Sequence, residues 1–437
     1  MSKAGLILIL VCSFLIIIKS EIIRVNLHKA KPLVGTSSPR STRVSFFQQK
    51  PSNTTLINYL NDQYYGRVYL GEDKQPFNLL FDTGSGWLWV GQPGTNFKNT
   101  YSCETSSTCE ADPNNTQTLT YGQGQGSGYV VYDTLTFEGG ISVKQSFVVT
   151  SGMKDLGLFY GDGILGLGSS NLSSGYPTFL DNMYNFGIIP SKSFSLYLAN
   201  DPSSYGDNSG AFTLGGYDPS LARSEFTFVK VTDKTYWAVD LYDTHIGDIP
   251  LKLPDNAKAI IDSGTSLITF PSHVMLSITE IMNEYVSCNF ENNVILCKCS
   301  DNFPELILQF HGFTAVLEPE IYVAKMSGYC FIQFQALDYY NYIVLGDVFL
   351  RKYYTFFSAD NMTIGFAEAA PFTPSHPWRT LFIILVILFS ILLIVITMKR
   401  HIQTVKEQQN TLRQGLFPAR NAATIVQPYS FNPQQKY

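Results

Sequence analysis

Charge is scarce in this chain: 15% of its 437 residues are Asp, Glu, Lys or Arg, and the net charge is −5. What charge there is lies unevenly, with 15 basic against 32 acidic residues from Tyr64 to Ala370, about −17. An acidic body excludes nucleic acid as a partner. Histidine is also thin, at six residues, and none lies close to Cys297-Lys298-Cys299. One Cys-x-Cys without neighbouring imidazoles is a poor zinc site, so no metal and no cofactor is expected. Long apolar runs are confined to two places. Leu6 to Ile18 follows Lys3 and ends at Lys19-Ser20, which reads as a secretory signal over residues 1–20. Thr380 to Met398 carries no charge over 19 residues, enough to cross a bilayer core. Buried core helices are rarely so long and so aliphatic. Lys399-Arg400 follow at once, and a basic flank faces the cytosol. The expectation is a single-pass type I membrane protein whose main body lies in the lumen or outside the cell.

What is present is a repeated acidic signature. Asp82 sits in the apolar run LLFDTGSGWLWV, where a carboxylate is costly unless something uses or pairs with it. AIIDSGTSLITF repeats the pattern around Asp262, 180 positions on. Each copy has a later echo of two apolar residues and a glycine, and Gly166 and Gly346 both follow their aspartate by 84 residues. That is an internal duplication with one Asp per half. Two related lobes can bring both carboxylates to their junction, where they must share one proton. The charged partner can then take a proton from water attacking a carbonyl carbon, while the neutral one donates to the carbonyl oxygen. Neither a metal nor a covalent nucleophile is required. The neighbours suit this chemistry. Gly84 and Gly264 allow backbone close to a carboxylate. Ser85 and Thr265 can donate to the outer carboxylate oxygens. Thr83 and Ser263 could bond across the junction.

With NYLNDQYYGRVYLG, LLFDTGSGWLWV, LTYGQGQGSG, DGILGLG, YWAVDL, IIDSGTS and VLGDVFLRKYYTFF in this order, the chain resembles the pepsin-like aspartic proteases from about Leu56 to Ala370. The resemblance implies a mostly β, bilobal fold with a two-fold related cleft that takes a polypeptide in extended form. It makes Asp82 and Asp262 the catalytic pair and Tyr121 the tyrosine of a flap. Gly122, with Gly124, Gly126 and Gly128, suits a mobile hairpin tip. Trp89 matches an indole that bonds the flap tyrosine, and Tyr236-Trp237 a pair lining the cleft. Leu156, Leu158 and Phe159 fall near the family's main specificity pocket. At Gly86-Trp87 the chain departs from a family in which many members carry small or polar residues. Cys103 and Cys109 match the family's small-loop disulfide, and Cys299 with Cys330 its late one. An Asn292-Asn293 turn would put Cys288 opposite Cys297, although Cys297 and Cys299 could exchange roles. Cys12 leaves with the signal, so six cysteines remain for an oxidising compartment.

The segment from Glu21 to Gln63 carries six basic and two acidic residues. IIRVNLHKAK within it resembles the family's propeptide, which implies a basic leader acting as an intramolecular inhibitor. The charge balance adds the expectation of release as carboxylates protonate at low pH, the alternative being a solvated tether. The domain reading is signal 1–20, propeptide 21–55, catalytic domain 56–370 with lobes 56–225 and 226–370, stalk 371–379, span 380–398 and cytosolic tail 399–437. Sequons stand at Asn53, Asn114, Asn171 and Asn361, all in segments expected to face the lumen. The expectation is an acid-active aspartic endopeptidase, monomeric, on the secretory or endolysosomal and vacuolar route. The competing reading is an inactive, membrane-tethered peptide-binding protein of the same fold.

Overall fold

A computed structural model describes residues 52–59, 63–122, 124–156, 159–200, 206–326, 328–338, 342–371 and 377–416. The signal, most of the basic leader, Leu158, most of the stalk and the end of the tail lie outside them. The first sheet takes β1 (Ser52–Tyr59), β2 (Gln63–Leu70), β3 (Gln75–Asp82), β4 (Leu88–Gly91), β5 (Glu110–Thr120) and β6 (Gln125–Phe137). It continues with β7 (Ser142–Lys154), β8 (Gly163–Gly166), β9 (Ser193–Leu198), β10 (Gly206–Leu214) and β11 (Thr227–Lys230). The second sheet takes β12 (Ala238–Ile246), β13 (Ile249–Pro250), β14 (Lys258–Ile261), β15 (Ile268–Phe270), β16 (Cys288–Glu291) and β17 (Val294–Cys297). It closes with β18 (Leu306–Phe310), β19 (Phe313–Leu317), β20 (Val323–Lys325), β21 (Cys330–Ala336) and β22 (Tyr342–Leu345). The last strands, β23 (Tyr353–Ser358) and β24 (Thr363–Glu368), return to the first sheet.

The first sheet runs β11-β24-β23-β9-β10-β1-β2-β3-β8-β4-β7-β6-β5, and the second β16-β17-β21-β15-β22-β14-β12-β18-β19. A division at residue 225 therefore does not separate the strands, because three later ones pair within the first sheet. The duplication is visible as register. β3 runs parallel to β8 with Asp82 opposite Gly166, and β14 runs parallel to β22 with Ile261 opposite Leu345. The Asp262 N–H then donates to the Leu345 carbonyl at 3.1 Å. The 84-residue spacing is thus the distance from an aspartate to its partner on the parallel neighbour strand. Each copy adds an antiparallel strand, β4 beside β8 and β15 beside β22.

Leu79, Leu80 and Phe81 on β3, and Ala259, Ile260 and Ile261 on β14, are all buried. Strands covered on both faces read as continuous apolar runs rather than alternations, which is why both aspartates end such runs. One large core joins residues of both sheets, and a smaller cluster forms around Tyr65, Leu80, Trp87, Trp89 and Ile164. The helix Phe179–Asn185 opens on a capping box, Thr178 accepting from the Asp181 N–H while Asp181 accepts from the Thr178 N–H. The helix Ser272–Asn283 buries Val274, Met275, Ile278 and Met282, one face at helical spacing. Disulfides join Cys103 to Cys109, Cys288 to Cys297 and Cys299 to Cys330. Asn292 and Asn293 both take positive φ, 50° and 65°, as a two-residue hairpin turn requires, which sets Cys288 opposite Cys297.

The helix Pro377–Leu416 extends beyond the expected span on both sides. It is the one helix among the described residues long and apolar enough to cross a membrane. Its side chains from Ile384 to Met398 are exposed.

Candidate active site

Asp82 ends β3 and Asp262 follows β14, and each enters a turn built on its own glycine. The Gly84 N–H donates to Asp82 Oδ1 at 2.8 Å, and the Gly264 N–H to Asp262 Oδ1 at 2.9 Å. Ser85 Oγ donates to Asp82 Oδ2 at 2.5 Å, and Thr265 Oγ1 to Asp262 Oδ2 at 2.7 Å. The two turns are therefore near copies, each leaving its carboxyl held by one backbone and one hydroxyl donor.

They also face one another. A Cβ on Gly84 would stand 2.6 Å from Asp262 Oδ1, and one on Gly264 would stand 2.3 Å from Asp82 Oδ1. Each glycine is needed because the opposite carboxyl occupies the space a side chain would fill. Beneath them the Thr83 N–H donates to Ser263 Oγ at 3.1 Å and the Ser263 N–H to Thr83 Oγ1 at 2.9 Å. Thr83 Oγ1 donates in turn to the Ile261 carbonyl at 2.8 Å, and Ser263 Oγ to the Phe81 carbonyl at 2.6 Å. Both side chains are buried, so this reciprocal grip fixes one turn against the other through hydrogen bonds out of reach of water.

Burial and the neighbouring Asp262 charge, in that order, push the Asp82 carboxyl well above the usual range, outweighing Ser85 and Gly84. A pair in this state holds a proton where isolated carboxylates would have lost it, so it contains both an acid and a base. Over it hangs the hairpin of β5 and β6, where the Tyr121 N–H donates to the Gly124 carbonyl at 3.0 Å and Gly124 takes φ +95°. Trp89 Nε1 donates to the Tyr121 hydroxyl at 2.6 Å. Burial, then the Asp82 charge, raises the Tyr121 phenol, and Ser85 lies within hydrogen-bonding reach of it. A protonated phenol and a proton-sharing carboxyl pair, closed over by a hairpin, can bind a carbonyl group and add water to it.

The sequence profile of the eukaryotic aspartyl proteases matches residues 63–369. The chain belongs to that family. Among its relatives, the vacuolar aspartic protease of Candida albicans is 33% identical over 71% of this chain and 76% of its own length. Vacuolar protease A of Aspergillus fumigatus is 34% identical over 71% and 80%. Sheep (Ovis aries) chymosin is 30% identical over 80% and 96%. This aspartyl protease is an aspartic-type endopeptidase with a mostly β, pepsin-like fold.

Other expected positions fall in different places. Leu156 and Phe159 pack against the cluster of Trp89, and the Phe159 ring stacks on the indole with centroids 5.9 Å apart. Trp237 is buried, and its indole donates to the Leu167 carbonyl at 2.9 Å, so it ties the halves together rather than lining a cleft. Tyr236 lies edge-on to Tyr342 at 5.9 Å, and its backbone N–H donates to Asp233. The Gly86-Trp87 departure is filled: Trp87 is buried against Tyr176 with centroids 5.0 Å apart. A Cβ on Gly86 would stand 2.8 Å from the Ser169 carbonyl oxygen. Sequence reading missed Phe97, whose ring lies 5.5 Å from that of Trp89. It comes from an irregular segment with no periodicity to mark it. Asn114, Asn171 and Asn361 are exposed, as glycan acceptors must be.

Proposed function

We propose that Asp82 and Asp262 are the catalytic dyad of a membrane-anchored endopeptidase that cleaves extended polypeptides at acidic pH. The pair shares one proton. Its charged member takes a proton from a water that attacks the scissile carbonyl carbon, and its neutral member protonates the carbonyl oxygen. Thr83, Gly84, Ser85, Ser263, Gly264 and Thr265 hold the carboxyls in place, and Tyr121, seated by Trp89, closes on the bound chain with Gly122 at the hairpin tip. The observation that carries this reading is reciprocal: each turn's glycine abuts the other turn's aspartate. A binding protein gains nothing from two carboxylates forced together, since their repulsion is destabilising.

The leader of residues 21–55 is an inhibitory propeptide. The helix Pro377–Leu416 anchors the enzyme with Lys399-Arg400 in the cytosol, which leaves the catalytic body on the luminal or outer face. The vacuolar proteases among its relatives favour an acidic vacuolar or endolysosomal membrane. The test is cleavage of an unfolded protein by the soluble body, residues 21–377, across pH 3 to 7. The wild type after leader removal is expected to be active on the acid side, and Asp262→Asn to be at least ~1,000-fold slower. A folded wild type as inert as the variant at every pH would leave the peptide-binding reading standing.

A further inference from the structure

The strands where the folded body ends carry a face that the catalytic reading does not use. Across β11, β24 and β23, Phe228 and Phe356 both stand opposite Gly365. Their rings lie 6.1 Å apart, with Phe226 6.3 Å and Tyr217 5.3 Å from Phe356. A Cβ on Gly365 would stand 2.9 Å from the Phe228 ring. Rings laid over a strand glycine are a common way to shield its backbone. That purpose needs one ring, yet here Phe228 is 50% exposed, Tyr217 is 36% exposed and Phe356 is only partly covered. Lys230, two residues beyond Phe228 on the same strand face, is exposed as well.

The chain leaves the body at the border of this face. Ala369 and Phe226 pack on the same cluster of Tyr197, Ala199 and Tyr354. The Ala370 N–H donates to the Leu221 carbonyl at 2.9 Å, and the Tyr197 hydroxyl to the Ala370 carbonyl at 2.8 Å. From Ala370 the apolar helix is seven residues away at Pro377, a reach of at most ~25 Å even if fully extended. A short tether pinned at the rim of an aromatic face holds that face near whatever surface the helix enters. Aromatic rings with a neighbouring lysine suit the interfacial zone of a bilayer.

We propose that Tyr217, Phe226, Phe228 and Phe356 dock on the lipid interface beside the protein's own anchor, so that the body is held at a fixed tilt instead of swinging on its stalk. This rests on the anchor reading above. It would set β3 seven strand positions, about 34 Å along the sheet, from the docked edge, presenting the dyad to polypeptides standing off the membrane.

The test uses the full chain in phosphatidylcholine–phosphatidylserine vesicles. Phe228→Cys and Tyr242→Cys each receive an environment-sensitive fluorophore. Tyr242, 64% exposed on β12 of the other sheet, is the internal control. Flotation of both labelled proteins reports the anchor, and quenching by shallow nitroxide lipids reports docking. Expected is loss of at least about half the emission at position 228 and less than about a tenth at 242. Flotation with equal, weak quenching at both positions overturns docking and leaves the anchor intact. Failure to float overturns both. Energy transfer between labelled copies at 228 that grows with protein density, without lipid quenching, assigns the face to a second copy and also overturns the proposal.

Discussion

At Asp82 five influences compete: burial, the Asp262 charge and the hydrogen bond with Asp262 disfavour its ionised form, while Ser85 and the Gly84 N–H favour it, and the first group wins. A carboxyl whose value is raised on folding binds its proton more tightly in the native state. The stability this brings is full below the unfolded value, about 3.9, and is lost as pH rises through the folded one. Asp262→Asn removes the like charge, so its Tm should exceed that of the wild type at pH 7, with the gain vanishing by pH 3. Thermal scans of the soluble body at both pH values decide this, and an unchanged difference would place the strain elsewhere. Gly264→Ala tests the facing geometry directly, because its new Cβ would stand 2.3 Å from Asp82 Oδ1. The carboxyl must move, and kcat/KM should fall ~100-fold or more while far-UV circular dichroism stays native. Both aspartates and all six residues of their turns were legible in the sequence because they recur. Phe97 was not, since nothing in its own stretch says that it will meet Trp89.

Among the elements, the duplicated strand pair explains why equal spacings of 84 residues occur at all. A parallel neighbour must be reached by a crossover, and two copies of one crossover preserve its length. The β16–β17 hairpin was readable for a local reason: two asparagines supply the left-handed turn, and the turn fixes which cysteines face each other. The bond between Cys299 and Cys330 was less secure in the sequence, because Cys297 also stands opposite Cys330 in the β17–β21 ladder. These two disulfides close loops of different size, with sequence separations of 9 and 31. Loop-closure entropy then predicts that replacing both Cys299 and Cys330 by Ala costs about 1 kcal/mol more than replacing Cys288 and Cys297. Urea unfolding of the two double variants measures the difference. An equal cost would mean that unfolded-state structure around the longer loop cancels its entropy.

Over the whole molecule, residues 21–63, of net +4, precede a body of about −17. Attraction of that kind weakens as carboxylates protonate, so the leader should be released by acid. The soluble body, residues 21–377, is expected to lose the mass of residues 21 to about 55 at pH 4 and to keep it at pH 7. Mass spectrometry after timed incubation checks this, and an intact, silent protein at pH 4 would exclude self-activation. By itself the sequence determined the fold family, the two aspartates with their immediate neighbours, the hairpin turn and the apolar span. Each of these is encoded locally, in a short motif, a repeat or an uninterrupted run. Tertiary structure alone decided how the last two strands join the first sheet, that Trp237 ties the halves, and where an aromatic face stays uncovered. Those outcomes depend on pairings between residues 70 or more positions apart, which no local pattern of charge or hydrophobicity records.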